Sequence, residues 1–186
     1  RWVISLSVLL GCAIRLYWFS IRPIYPDFGD MQPLVLMALD EFVGLKTPYR
    51  LYYMPWELPL TYLPLTWLAY LPAYWFDLDI RIVNLLIELA IGAMLGVVAY
   101  KHENRAKSQY LPRNYVLLWW GALFFLPMFS EYAQTATSQI FWLFVALTLT
   151  ALAYAQDRLR DQILPAVLLG LGLATSPFVR SNTARS

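Results

Sequence analysis

Charge is scarce in this sequence: Asp, Glu, Lys and Arg make up 14% of its 186 residues, where a soluble domain carries about a quarter. Cysteine is scarcer still. The single Cys12 excludes an intrachain disulfide, and its apolar neighbourhood suits a small packed residue. One histidine, His102, excludes a His-built zinc, iron or copper site and leaves only a hard cation held by carboxylates. A net charge of +2 gives no basis for a nucleic-acid partner. P-loop, dinucleotide, nucleophile-elbow and zinc motifs are also missing.

What is present is apolar and aromatic: 60% hydrophobic residues, eight Trp and thirteen Tyr, with a mean hydropathy of +0.51. Crossing a bilayer takes roughly 20 apolar residues at about 1.5 Å each. Five segments meet the need: Trp2–Ser20, Ile80–Tyr100, Asn114–Phe129, Gln139–Ala155 and Ile163–Pro177. The expected fold is therefore all-α, a multi-pass transmembrane bundle of about five spans forming a single domain over 1–186. The first apolar run follows Arg1 directly and the polar tail Ser181–Ser186 closes the sequence, so the chain reads as a fragment of a longer protein.

Between the first two spans, residues 21–79 need separate treatment. The passage opens with a turn-rich acidic stretch containing Asp27 and Asp30, followed by a short amphipathic helix near Gln32–Val43. Residues Tyr53–Phe76 are apolar but interrupted by Pro55, Pro59, Pro64 and Pro72, and interior prolines break helices. This segment is expected to lie on the outer surface as a juxtamembrane helix with Tyr and Trp at headgroup level. Counting Lys and Arg in the connecting loops does not decide between a surface and a spanning segment.

Depth does favour one topology. Arg15 lies about six residues, ~9 Å, before the end of the first helix, and Glu88 lies the same distance past the start of the second. If 53–76 stays on the surface, those helix ends share a membrane face and the two charges pair. If it spans, they are offset by roughly 10 Å in a ~30 Å apolar core, and unpaired charges there are costly.

Four constellations could carry chemistry. Asp27 and Asp30 offer carboxylates for a general base or a divalent cation, against the plainer role of capping the next helix. Arg81, Asn84 and Glu88 share one helix face, as a polar site or as interhelical glue. Glu131, Gln134, Thr135 and Ser138 form a polar face where the fourth span begins. Arg50, Tyr53 and Glu57 place a cation, an aromatic ring and an acid together, as a sugar or lipid-phosphate site or as an interfacial belt.

In order, these features resemble the N-terminal part of a GT-C-type glycosyltransferase. The signs are Ala13-Ile-Arg15-Leu16 closing the first helix, Pro26-Asp27, the Tyr-x-Pro-rich segment Tyr53–Trp67, and Arg81-Ile-Val-Asn84 opening the next span. Val98-Ala-Tyr100, the basic loop Lys101–Arg113, the polar start Glu131–Gln139 and the small residues within Leu168–Thr175 follow. The resemblance implies sugar transfer from a polyprenyl-phosphate donor to an acceptor on the outer face of the plasma (inner) membrane. It makes Asp27 the catalytic carboxylate, with Asp30 its competitor. It also implies substrate binding by Arg50, Tyr53, Glu57, Arg81, Glu131 and Gln134, and a Mg or Mn ion at Asp27 and Glu131. Two departures stand out: the acid near the fourth helix start is Glu131 or is replaced by Gln139, and Ser176 stands where a lysine is common. The bilayer and the lipid-linked sugar are the expected partners. The alternative is a non-catalytic membrane scaffold or assembly subunit; a transporter would show inverted repeats and broken helices, and neither is seen.

Overall fold

A computed structural model describes residues 2–25, 29–106, 120, 139–154 and 159–175, which are mostly helical. The elements are α1 (Trp2–Ile21), α2 (Met31–Val43), β1 (Leu51–Tyr53), β2 (Glu57–Pro59), α3 (Pro64–Leu68), α4 (Leu71–Trp75), α5 (Arg81–Ala106), α6 (Gln139–Tyr154) and α7 (Leu159–Leu173). The expected span Asn114–Phe129 lies outside the described residues except for Trp120. Helix α5 runs six residues beyond Tyr100, so the first part of the expected basic loop is helical. Helix α7 starts four residues before Ile163 and continues through Pro165, forgoing the one backbone bond that a proline nitrogen cannot donate.

The segment 53–76 is not one surface helix. β1 and β2 pair antiparallel, with Leu51 opposite Pro59 and Tyr53 opposite Glu57, and two five-residue helices follow. The prolines explain the difference. Pro55 sits in the hairpin turn and Pro59 ends β2, while Pro64 and Pro72 occupy first-turn positions of α3 and α4. Each falls where a missing N–H costs little.

An isolated two-stranded hairpin is marginal in water, and this one is tied down. Tyr52 is buried and its hydroxyl donates to the Pro48 carbonyl at 2.6 Å. The Tyr49 hydroxyl donates to the Tyr62 carbonyl at 3.3 Å, and Arg50 pairs with Glu41 near the end of α2. The chain leaves α2 and α4 through left-handed residues, Leu45 (φ 57°) and Asp77 (φ 52°), which let the next N–H groups reach back to the Glu41 and Ala73 carbonyls.

Long-range polar contacts gather the helix ends. Arg81, at the start of α5, donates to the Phe19 carbonyl at 2.8 Å and the Arg22 carbonyl at 2.6 Å, where α1 ends. Arg15 and Glu88 form an ion pair below that junction, as the depth argument expected. Thr66 of α3 donates to the Thr175 carbonyl just past α7 at 2.9 Å. Ile140, Leu143 and Phe144 of α6 pack on the same buried cluster as Ile80 and Ile87.

That cluster is the core: Leu34, Val35, Ala38 and Leu39 of α2 pack with Tyr52, Trp67, Tyr70 and Ala73. It sits at the end of the helices where α5 and α6 begin and α1 and α7 finish. Along the long helices the pattern inverts. Leu6, Leu9 and Leu10 of α1, Trp142, Leu149 and Leu152 of α6, and Ile163, Leu164 and Val167 of α7 are exposed. Small residues bring these helices close: a Cβ on Gly172 would lie 2.9 Å from the Phe144 Cβ, and one on Gly92 would strike the Trp120 ring.

Candidate functional site

Asp30 occupies the position that caps α2, yet its carboxylate makes no capping hydrogen bond. Its negative charge instead acts on the hydroxyl of Tyr62. Burial, seconded by that charge, pushes the Tyr62 phenol up to about 12. Tyr62 in turn acts on Tyr70, whose phenol is raised first by burial. The Tyr70 hydroxyl donates to Asn84 Oδ1 at 2.6 Å. Asp30 and Tyr62 thus lie near enough to Tyr70 to act on one another electrostatically in turn, and the Tyr70–Asn84 hydrogen bond reaches the first turn of α5.

Two buried amides stand next to residues of the same buried cluster, Gln32 before Leu34 and Gln139 before Ile140. Among the described residues, Gln32 in the first turn of α2 is 2% exposed with no partner for Nε2, and Gln139 on α6 is 3% exposed with none for either amide atom. Because both Gln139 atoms lack partners, flipping the amide changes nothing. Each unmet buried donor or acceptor costs about 1–3 kcal/mol, so a protein retains such groups only where something else meets the cost. Trp67 Nε1 is also unmet, but its ring packs edge-on to Phe42, toward the far end of α2.

The residues expected from the sequence divide into separate places. Arg50, Tyr53 and Glu57 cluster on the hairpin, with Tyr53 opposite Glu57 in register and Arg50 lying 5.2 Å over the Tyr52 ring while paired with Glu41. Glu41 is eleven residues past Asp30, ~16 Å along α2, so the hairpin group and Asp30 do not meet. Arg81 is buried and fully occupied: Nε donates to Asp79 Oδ1 at 2.9 Å, and Nη1 and Nη2 hold the end of α1. Glu88 pairs with Arg15, as the glue reading expected, while Asn84 accepts from the Tyr70 hydroxyl, a side chain rather than the backbone group that reading assigned it. Asp27, Glu131 and Gln134 lie outside the described residues.

The Mg or Mn expectation rested on Asp27 and Glu131, both in that group. Among the described residues no three His, Cys, Asp or Glu side chains converge, so no chemical step is assigned to a metal here. Sequence reasoning missed Gln32, Tyr62 and Tyr70. The signal for the tyrosines was present in the Tyr-Leu-Pro repeats at 62–64 and 70–72, and Gln32 is a lone polar residue on the apolar face of α2.

No protein-family model matches the chain, and neither a curated protein nor a solved structure does.

Proposed function

We propose that the chain is a multi-pass membrane protein and the N-terminal part of a GT-C-like glycosyltransferase. The membrane reading is supported by Arg81–Val98, long and apolar enough to cross a bilayer, and by the shorter apolar helices Ser5–Ile21, Gln139–Leu152 and Ile163–Leu173. Their exposed leucines and isoleucines suit lipid rather than water, and with the expected span 114–129 they make five. The polar cap at one end then lies at the outer face of the plasma (inner) membrane.

The observation that carries the catalytic reading is the uncapped Asp30 carboxylate, half-buried at the mouth of a polar interior. In this reading, Asp27 or Asp30 accepts the proton of an acceptor hydroxyl as its oxygen attacks the anomeric carbon. The bond from that carbon to the lipid-phosphate oxygen breaks, and the lipid phosphate departs with its electron pair. A general base of this kind contributes about 10²–10⁴-fold.

Replacing each acid, Asp27→Asn and Asp30→Asn, in the full-length protein tests the assignment with a polyprenyl-phosphate-linked sugar as donor. One of the two variants is expected to lose at least about 100-fold in transfer rate at normal expression and membrane insertion. Wild-type rates in both remove the assignment. A second reading, a non-catalytic scaffold, is favoured by two expected substrate-binding cations: Arg50 and Arg81 are each engaged by a carboxylate rather than presented to a phosphate.

A further inference from the structure

We propose that Gln32 and Gln139 form a hydroxyl-reading pair for the uncharged sugar ring of the ligand, a subsite that rests on the glycosyltransferase reading above. Two features point there. Both amides are more than nine-tenths buried and have unmet atoms, two donors on nitrogen and one acceptor on oxygen. Gln32 stands in the first turn of α2, and Gln139 stands on α6. Leu34 and Val35 next to Gln32, and Ile140 next to Gln139, belong to the buried cluster that also holds Tyr62 and Tyr70, which puts both amides at the end of the bundle where α2 begins after Asp30.

The ligand class follows from the chemistry of those groups. A primary amide donates and accepts at once, which matches adjacent hydroxyls, each itself donor and acceptor. A phosphate would call for cations, and the arginines that reach inward here are committed: Arg15 to Glu88 and Arg81 to Asp79. A neutral polyol suits two neutral amides, together with the hydrogen-bonding groups of tyrosine and asparagine. Amides left unmet without ligand and met with it make the site selective, since an analogue lacking a hydroxyl would leave them buried and unpaired.

The test uses full-length protein in lipid nanodiscs and a panel of methyl hexopyranosides and pentopyranosides, with binding read by saturation-transfer NMR and folding by thermal unfolding. Gln32→Leu, Gln32→Met, Gln139→Leu and Gln139→Met are each expected to weaken binding of the best glycoside by about tenfold. The unliganded melting temperature should stay level or rise, because an unmet buried amide has been removed. Failure of every glycoside to bind the wild type, or binding indifferent to all four substitutions, overturns the pair as a subsite. So does a lowered melting temperature in both the Leu and Met variants, which would make the amides structural. Amide-dependent glycoside binding without any sugar transfer keeps this inference and removes the enzyme reading; transfer that depends on Asp27 or Asp30 without amide-dependent binding does the reverse.

Discussion

Arg81 is where the fold makes its sharpest quantitative commitment. Its guanidinium holds the Asp79 carboxylate and two carbonyls at the end of α1, with its side chain 4% exposed and that of Asp79 27% exposed. Its ring-plane neighbour is Phe19, 4.7 Å from the guanidinium carbon. Arg81→Ala leaves a carboxylate without its cation and two carbonyls without donors. Removing one member of a buried pair costs about 3–5 kcal/mol, and the partial exposure of Asp79 argues for the lower end, ~3 kcal/mol. For a chain of this size each kcal/mol moves the melting temperature by about 2–4 °C, so a drop of about 6–12 °C is expected. Arg81→Lys keeps the charge but loses the planar fork, and about half the loss should remain. Thermal unfolding followed by tryptophan fluorescence in a mild detergent measures both, and a double-mutant cycle with Asp79→Asn isolates the pair. If Arg81→Ala melts with the wild type yet abolishes sugar transfer, the guanidinium serves a substrate and the clasp argument is wrong.

Other consequences are as direct. Arg15→Leu should destabilise by about 3–5 kcal/mol by stranding Glu88, while the double variant with Glu88→Leu recovers most of that loss; equal melting of single and double variants would show the two charges to be uncoupled. Gly172→Leu should cost about 1–3 kcal/mol against Phe144, whereas Gly170→Leu, with nothing within 4 Å, should leave thermal stability unchanged. Tyr62 stays protonated in the fold up to about 12, while an unfolded tyrosine ionises near 10. The stability it contributes is therefore complete below about pH 10 and is lost as pH rises toward 12. Tyr62→Phe should move the alkaline unfolding midpoint upward, and an unchanged midpoint in a fluorescence-monitored pH titration would contradict this.

The charged pair shows how far sequence can go toward tertiary structure. Arg15 and Glu88 are rare charges in apolar runs, and isolation in such a setting is costly enough that pairing follows from position along the helices alone. The same logic reached α2, whose apolar face and flanking breaks are local signals. It failed over 53–63, where alternation is too short to separate a strand from a helix once prolines punctuate it. Asp30 was legible as an acid at a helix start. Its lack of a side-chain capping bond was not, because that depends on the backbone and rotamer geometry at the start of α2.

Arg81 and Gln139 mark the same boundary from the other side. Both were visible as polar residues opening apolar helices, a position that serves equally for binding, capping or packing. What the sequence alone supplied was local: apolar runs long enough for helices, prolines that break up residues 53–76, and few charges, two of which pair. Each is read from one segment at a time, because hydropathy and the missing N–H of proline act locally. Only the tertiary structure decided which polar groups were spent on the fold and which were left over. Arg81 was consumed by the end of α1 and Asp79, while the amides of Gln32 and Gln139 were buried with partners unmet. Hydrogen-bond satisfaction depends on neighbours tens of residues away, and no local pattern of residues encodes it.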